Sequence, residues 1–267
     1  MVRAAVAGIA GRMGSRIAQL IRETDGIELA GGFEHSGHQA VNREISEIIG
    51  GSPTGLKVTS QIAQVLDTVD VVLDFTLAAA SLEHLRQASA RGKAMVIGST
   101  GFAREQLEEA EKLAGRVPCV ISPNMSMGVN VLFKVVADVA RLLGESFDVE
   151  IIEAHHRLKK DAPSGTALKL AQVAAEALGR NLEEVGVYAR RGLIGERTGN
   201  EIGIQTVRGG DIVGEHTVMF AGSGERIEIV HRAQSRDNFA RGAIRAALWV
   251  VRQPPGLYGM DHVLGMK

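Results

Sequence analysis

The sequence predicts an α/β protein: a Rossmann-like, doubly wound parallel sheet plus a second α/β domain with a mixed, largely antiparallel sheet. Three observations carry this. In the first half, short apolar runs alternate with helical segments, the pattern of a parallel sheet covered on both faces. A glycine-rich loop follows the first of these runs and opens a helix. In the second half the strands alternate apolar with polar residues, so one face is covered and the other is open or used in assembly.

The elements follow in order. Val2 to Ile9 reads as a buried strand, and Gly8-Ile9-Ala10-Gly11-Arg12-Met13-Gly14 leads into a helix through Ser15 to Ile21. A second strand, Ile27 to Phe33, ends at Glu34, and a third, Val69 to Phe75, ends at Thr76. A helix over Ser81 to Arg91 leads to the strand Ala94 to Ile97 and the turn Gly98-Ser99-Thr100-Gly101. A helix from Arg104 to Ala114 precedes Cys119-Val120-Ile121 and Ser122-Pro123-Asn124-Met125-Ser126-Met127. Val129 to Leu143 reads as a long helix, Phe147 to Glu153 as a strand, and Ala167 to Ala175 as a helix. Glu201 to Arg208 and Ile212 to Phe220 flank Gly209-Gly210-Asp211 like the arms of a hairpin. Arg226 to His231 is a further strand, and Asn238 to Val251 a helix. The predicted organisation is a dinucleotide-binding domain over 1–126, a substrate-binding and oligomerisation domain over 127–236, and a tail over 237–267 returning to the first domain.

Composition narrows the function classes. A chain of 267 residues that is 45% hydrophobic can bury a large core, and a net charge of −1 gives no general attraction to nucleic acid or membranes. Cys119 is the only cysteine, which excludes an intramolecular disulfide framework; it reads as a small buried hydrophobe. No signal-peptide pattern follows Met1 and no apolar stretch reaches membrane-spanning length, so a soluble cytoplasmic protein is expected.

The glycine loop stands where a dinucleotide site needs it. Gly8, Ala10, Gly11 and Gly14 permit a tight turn and close approach of backbone to a pyrophosphate. An acidic residue, Glu34, follows about 20 residues later at the end of the second strand, placed to accept from the ribose hydroxyls. Ile9, Arg12 and Met13 complete the loop. The segments at Gly98, Ser99 and Thr100 and at Ser122, Pro123, Asn124 and Met125 follow later strands, so they either line the nicotinamide end or form ordinary turns.

The most specific stretch is His155-His156-Arg157-Leu158-Lys159-Lys160-Asp161-Ala162-Pro163-Ser164-Gly165-Thr166. It joins a strand to a helix start, and free N–H groups at a helix start favour an anion. Cations there oppose the helix dipole, so a purely structural role would favour Asp or Glu. Imidazole and ammonium groups together suggest a site that binds an anionic substrate and protonates it. A metal site is not expected: His155 and His156 are neighbours pointing to opposite faces, and no third ligand follows at zinc-like spacing. His216 and His231, within strands, read as structural.

These stretches, the last of them taken from Glu153-Ala154 through to Ala167, with Asp74-Phe75-Thr76, Pro123-Asn124-Met125-Ser126-Met127-Gly128-Val129-Asn130 and Val207-Arg208-Gly209-Gly210-Asp211-Ile212-Val213-Gly214-Glu215-His216, resemble the dihydrodipicolinate reductase family over nearly the whole chain. The resemblance implies a nicotinamide-binding first domain and a second domain whose sheets assemble a homotetramer. It implies reduction of 4-hydroxy-tetrahydrodipicolinate, a small dicarboxylate of lysine and diaminopimelate biosynthesis. By the same resemblance His155 is the general acid and Lys159 a second proton donor. His156, Ser164, Gly165 and Thr166 hold substrate carboxylate. Many members carry Arg after the ribose-binding acid, where it pairs with the 2′-phosphate of NADPH; here that position is His35. NADH and NADPH are therefore both expected to serve, NADH at least as well as NADPH. Two rival readings are a different two-domain dehydrogenase and a non-catalytic nicotinamide sensor; neither requires His155, Lys159 and the Ser164-Gly165-Thr166 helix start together.

Overall fold

The computed structural model describes residues 1–266. From the amino end the elements are β1 (Val2–Ala7), α1 (Arg12–Ile21), β2 (Ile27–Phe33), the short helices α2 (Ser46–Ile49) and α3 (Ala63–Leu66), and β3 (Val71–Asp74). Next come α4 (Ala78–Ala90), β4 (Ala94–Ile97), α5 (Arg104–Ala114), β5 (Pro118–Ile121) and α6 (Met127–Leu143). Then β6 (Asp148–His155), α7 (Gly165–Ala177), α8 (Leu182–Val185), β7 (Gly186–Val187), β8 (Ile202–Arg208), β9 (Gly214–Ala221) and β10 (Arg226–Ala233) follow. The chain closes with α9 (Asp237–Val250), β11 (Gly256–Tyr258) and α10 (Met260–Val263). It forms two compact units: Met1–Met127 with the stretch from Asp237 onward, and Gly128–Arg236.

The first unit is built on a six-stranded parallel sheet in the order β11-β5-β4-β3-β1-β2. Successive strand residues point to opposite faces, and both faces are buried. Ala4, Val6, Val71, Leu73, Val96 and Val120 pack with α1 and α9. Ala5, Ala7, Val72, Met95, Ile97 and Cys119 belong to a second core with α4 and α5. The continuous apolar runs in the sequence are this two-sided burial. Cys119 is fully buried, and burial pushes its thiol pKa up, so it acts as a hydrophobe. Arg16 anchors α9 to α1 by a forked contact with Asp237: Nε to Oδ1 at 2.7 Å and Nη2 to Oδ2 at 2.6 Å. After β1 the chain places β2 on one side and β3 on the other, so the strand order reverses there, where a crevice opens at the strands' carboxyl ends.

The second unit is a five-stranded mixed sheet, β10-β9-β6-β8-β7. β6 pairs with β8 parallel and with β9 antiparallel. Leu132, Val136 and Ala140 of α6 and Leu170, Ala171 and Ala174 of α7 cover the face presented by Val149, Ile151, Ile204 and Val218. The strands on either side of Gly209-Gly210-Asp211 are not a hairpin, contrary to the sequence reading, because β6 lies between β8 and β9. The glycine segment instead crosses the end of β6: Gly209 N–H donates to the carbonyl of His155 at 3.0 Å, and Arg157 N–H to that of Gly210 at 3.2 Å.

Gly14 is the tightest point of the first loop. A Cβ there would sit 2.0 Å from the carbonyl oxygen of Gly8, so α1 packs directly on the loop backbone. Gly14→Ala is expected to lower stability by about 1–3 kcal/mol, the cost of overpacking. Urea unfolding measures it, and an unchanged midpoint with unchanged slope would show that the loop and α1 separate freely.

Candidate active site

The centre of the second unit's chemistry is Glu153. On β6 the residues Val149, Ile151 and Glu153 share the core-facing side, and Glu153 is buried with no exposure. A carboxylate there persists only if its oxygens are bonded. Oε2 lies 2.5 Å from His155 Nδ1 and accepts from Arg208 Nη1 at 2.8 Å. Oε1 accepts from Arg208 Nη2 at 2.8 Å, from the backbone N–H of Ser164 at 2.9 Å, and from Thr206 Oγ1 at 3.4 Å. Burial raises the Glu153 pKa, but donation from Arg208, His155 and Ser164 outweighs it and holds the group below the usual carboxylate range.

His155 follows Glu153 two residues along the strand, on the same face. Burial lowers its pKa, and the opposing pull of Glu153 does not fully offset this. Its ring meets His216 edge to face, with centroids 5.3 Å apart. His216 is buried, its Nε2 3.2 Å from Ser164 Oγ, and burial pushes its pKa down to about 4, so it is neutral at pH 7. Lys159 Nζ pairs with Asp161 at 2.9 Å. His156 is half-buried, and its Nδ1 is buried without a hydrogen-bond partner among the described residues. Ser164 caps α7, its hydroxyl accepting from Ala167 N–H at 3.2 Å; Gly165 and Thr166 form the helix's first turn. The basic segment is thus a short loop from the end of β6 to the start of α7, with His155 and Ser164 both bonded to one buried carboxylate.

In the first unit Gly8 takes the left-handed backbone that glycine allows, with φ of +62°. Ala10 N–H donates to Glu34 Oε1 at 2.9 Å, so the ribose-binding candidate sits beside the glycine loop. Gly8, Glu34 and His35 line a cavity of about 590 Å³ with Phe33, Thr76 and His84. Gln61 and Gln87, also on its wall, belong to segments with no motif to mark them. This volume and its place at the strand-order reversal fit the adenosine half of a dinucleotide. Arg12 and His35 are exposed, whereas Ile9 is fully buried, so Ile9 offers a ligand only backbone. Asp74 is buried at the end of β3. It accepts from Thr76 N–H at 2.9 Å and Ser81 Oγ at 2.9 Å, and lies 2.6 Å from His84 Nδ1. Ser81 and Ser99 hydroxyls are 2.7 Å apart, which ties the β3 turn to the Gly98-Ser99-Thr100 turn. Gly98 packs on the ring of Phe75, and Thr100 and Pro123 are exposed. Ser122 Oγ donates to the Asn124 carbonyl at 2.8 Å, and Met125 is buried in the core.

The sequence reading assigns no role to Glu153, Arg208, Asp74 or His84; the first three stand only within the stretches that carry the resemblance. The signal for Glu153 was present: it occupies the inward place of an alternating strand, where an apolar residue is expected. No helix among the described residues is long and apolar enough to cross a membrane.

Residues 2–125 match the family described as dihydrodipicolinate reductase, N-terminus, and residues 128–264 match its C-terminus. A 4-hydroxy-tetrahydrodipicolinate reductase of Syntrophobacter fumaroxidans is 98% identical over the whole of both chains. One of Syntrophus aciditrophicus is 55% identical, again over the whole of both. The solved structure of a dipicolinate-bound dihydrodipicolinate reductase from Paenisporosarcina sp. TG-14 superposes with a TM-score of 0.76, covering 97% of each chain at 27% identity. Matched along both of its halves, the chain belongs to the dihydrodipicolinate reductase family.

Proposed function

We propose that the chain catalyses the NAD(P)H-dependent reduction of 4-hydroxy-tetrahydrodipicolinate to tetrahydrodipicolinate, with release of water, in lysine and diaminopimelate biosynthesis. Family membership supports the reaction. The buried Glu153–His155 pair at 2.5 Å is the observation that carries its proton chemistry. The reduced nicotinamide, when bound, supplies hydride to the substrate ring. His155 is the general acid that supplies the proton, and Lys159 is a second donor. His156 and the α7 start at Ser164, Gly165 and Thr166 hold a substrate carboxylate, because helix-start N–H groups favour anions. The unpartnered Nδ1 of His156 supports that assignment.

His155 has a lowered pKa in the unliganded chain, so a proton must be loaded before it can be given. A dicarboxylate brings two negative charges, and nearby negative charge favours imidazolium. The substrate therefore promotes protonation of its own acid.

For the dinucleotide, the backbone of Gly8, Ile9, Ala10, Gly11, Arg12 and Met13 approaches the pyrophosphate. Glu34 gives one oxygen to Ala10 N–H, and its other oxygen accepts from a ribose hydroxyl. Gly98, Ser99 and Thr100, with Ser122, Pro123, Asn124 and Met125, line the nicotinamide end. His35 offers at most one donor to a 2′-phosphate that Glu34 repels, so NADH serves at least as well as NADPH. The assembly is a homotetramer; exposed Val207 and Val230, which the register places on the face of the second sheet away from its helices, support burial of that open side. The chain works in the cytoplasm, where its small-molecule substrate and nucleotide are dissolved.

His155→Gln is expected to lower kcat roughly 10²–10⁴-fold, with NADH affinity by fluorescence titration unchanged. Near-normal turnover would remove the general-acid assignment. In wild type, the kcat/KM of the free enzyme falls as pH rises through the depressed His155 value, below the ordinary 6.5. The corresponding limb of kcat should lie at higher pH, because bound dicarboxylate stabilises imidazolium. Coincident limbs would show that substrate charge does not load the acid. His35→Arg should move preference toward NADPH by about 1.5–3 kcal/mol, the scale of a hydrogen bond to a charged group. Comparison of kcat/KM for both nucleotides measures this, and a wild type that prefers NADPH a hundredfold contradicts it.

A further inference from the structure

The groups around His155 come from three strands and a loop. Glu153 is on its own strand, Arg208 on β8, His216 on β9, and Lys159, paired with Asp161, in the loop after β6. His231 on β10 stands opposite His216 in the register. Among these, the bond from Glu153 is the shortest to the ring, and it falls on Nδ1. The other nitrogen, Nε2, faces Gly214 of β9, where a Cβ would come to 3.0 Å; glycine leaves room for the imidazole. Arg208 Nη1 and Nη2 each donate to a different Glu153 oxygen at 2.8 Å, and Nη2 also donates to the Asp161 carbonyl at 2.7 Å. The guanidinium thus fixes the plane of the carboxylate that fixes the plane of the ring.

We propose that Glu153 and Arg208 are positioning residues for proton transfer. Glu153 keeps a proton on Nδ1 of His155, so that Nε2 is the nitrogen that takes up and delivers the transferred proton. Arg208, by neutralising the carboxylate, sets how tightly the imidazole holds that second proton. This rests on the reading of His155 as general acid. The argument is one of charge balance. A carboxylate bonded to Nδ1 stabilises imidazolium, and a guanidinium on that carboxylate opposes it. Strong basicity would make His155 an acid too weak to release its proton, and weak basicity would leave it unloaded at neutral pH. A donor and a counter-charge on one carboxylate place it between these limits. The buried carboxylate also prevents the ring from presenting Nδ1 to the substrate, since Glu153 accepts there and cannot donate while ionised.

The two residues carry opposite signs, which distinguishes positioning from scaffolding. Glu153→Gln keeps the shape and removes the charge; kcat should fall roughly 10- to 100-fold, and the high-pH limb of kcat should move down by about one pH unit. Arg208→Met leaves the carboxylate without its counter-charge, so the same limb should move up. Residues serving only to hold β6 against β8 would lower activity in both variants and leave both limbs where wild type has them, and that result would overturn the proposal. A measurement on the unaltered protein covers variants that do not fold. With ¹⁵N-labelled histidine, the neutral His155 ring should carry its proton on Nδ1, in the chain without nucleotide or substrate. A proton on Nε2 there would overturn the proposal by itself. If His155→Gln retains turnover while the ¹⁵N signal shows Nδ1–H, the general-acid reading fails and the tautomer assignment stands. If His155→Gln is inactive and Glu153→Gln matches wild type in rate and pH limbs, the positioning role fails alone.

Discussion

The second unit depends on a single buried carboxylate. Glu153 occupies a place on β6 that the strand's own alternation reserves for an apolar side chain, beside Val149 and Ile151. An unpaired charge there would be costly enough to force protonation or local opening. It is tolerated because its own strand, β8 and the α7 cap all donate to it. Those donations set the geometry of the site. The parallel register that places His155 beside Arg208 brings the guanidinium within reach, and the Ser164 N–H fixes the helix start that follows the basic loop. The site is therefore part of the sheet's hydrogen-bonding rather than an addition to its edge.

The first unit repeats this arrangement with different residues. Asp74 is also fully buried at a strand's carboxyl end, and His84 Nδ1 lies 2.6 Å from it. Burial raises its pKa, but His84 and Thr76 outweigh this and hold it low. Here the carboxylate ties two consecutive strand-end turns through Ser81 and Ser99. In both units an ionised acid below the surface organises a loop above it.

Much of this was legible in the sequence, for identifiable reasons. The parallel strands are apolar on both faces and short, so Val71–Asp74 and Ala94–Ile97 stood out as runs. Arg104–Ala114 was found to the residue, because polar turns bound an uninterrupted helical pattern. The glycine loop, Glu34 and the His155–Thr166 segment were visible because each combines residue types that packing alone does not select. The segment between Glu34 and Asp70 gave no signal; its helices are four residues long and its cavity-lining Gln61 has no periodic context. β11 has three residues and pairs with β5 across about half of the chain, which no local pattern reveals. Gly209-Gly210-Asp211 looked like a hairpin turn because turn chemistry is local, whereas the insertion of β6 between the two strands is not. Arg208 and Glu153 lie 55 residues apart in sequence, and only the parallel pairing makes them partners.

The return of the chain to its first unit has a consequence for the order of assembly. Residues 128–236 are contiguous and hold all the strands of their own sheet, so that unit can close from a single stretch of nascent chain. The first unit cannot. One face of its sheet takes Ala243, Ile244, Ala247 and Val250 of α9, and Arg16 finds Asp237 only 221 positions further along the chain. Until α9 leaves the ribosome, the Val6, Leu73 and Val96 side of the sheet stands partly bare. Such long loop closures slow folding, and apolar surface left open meanwhile is what chaperones recognise. The first unit, whose opening strands are the first to be synthesised, is therefore the last to be finished.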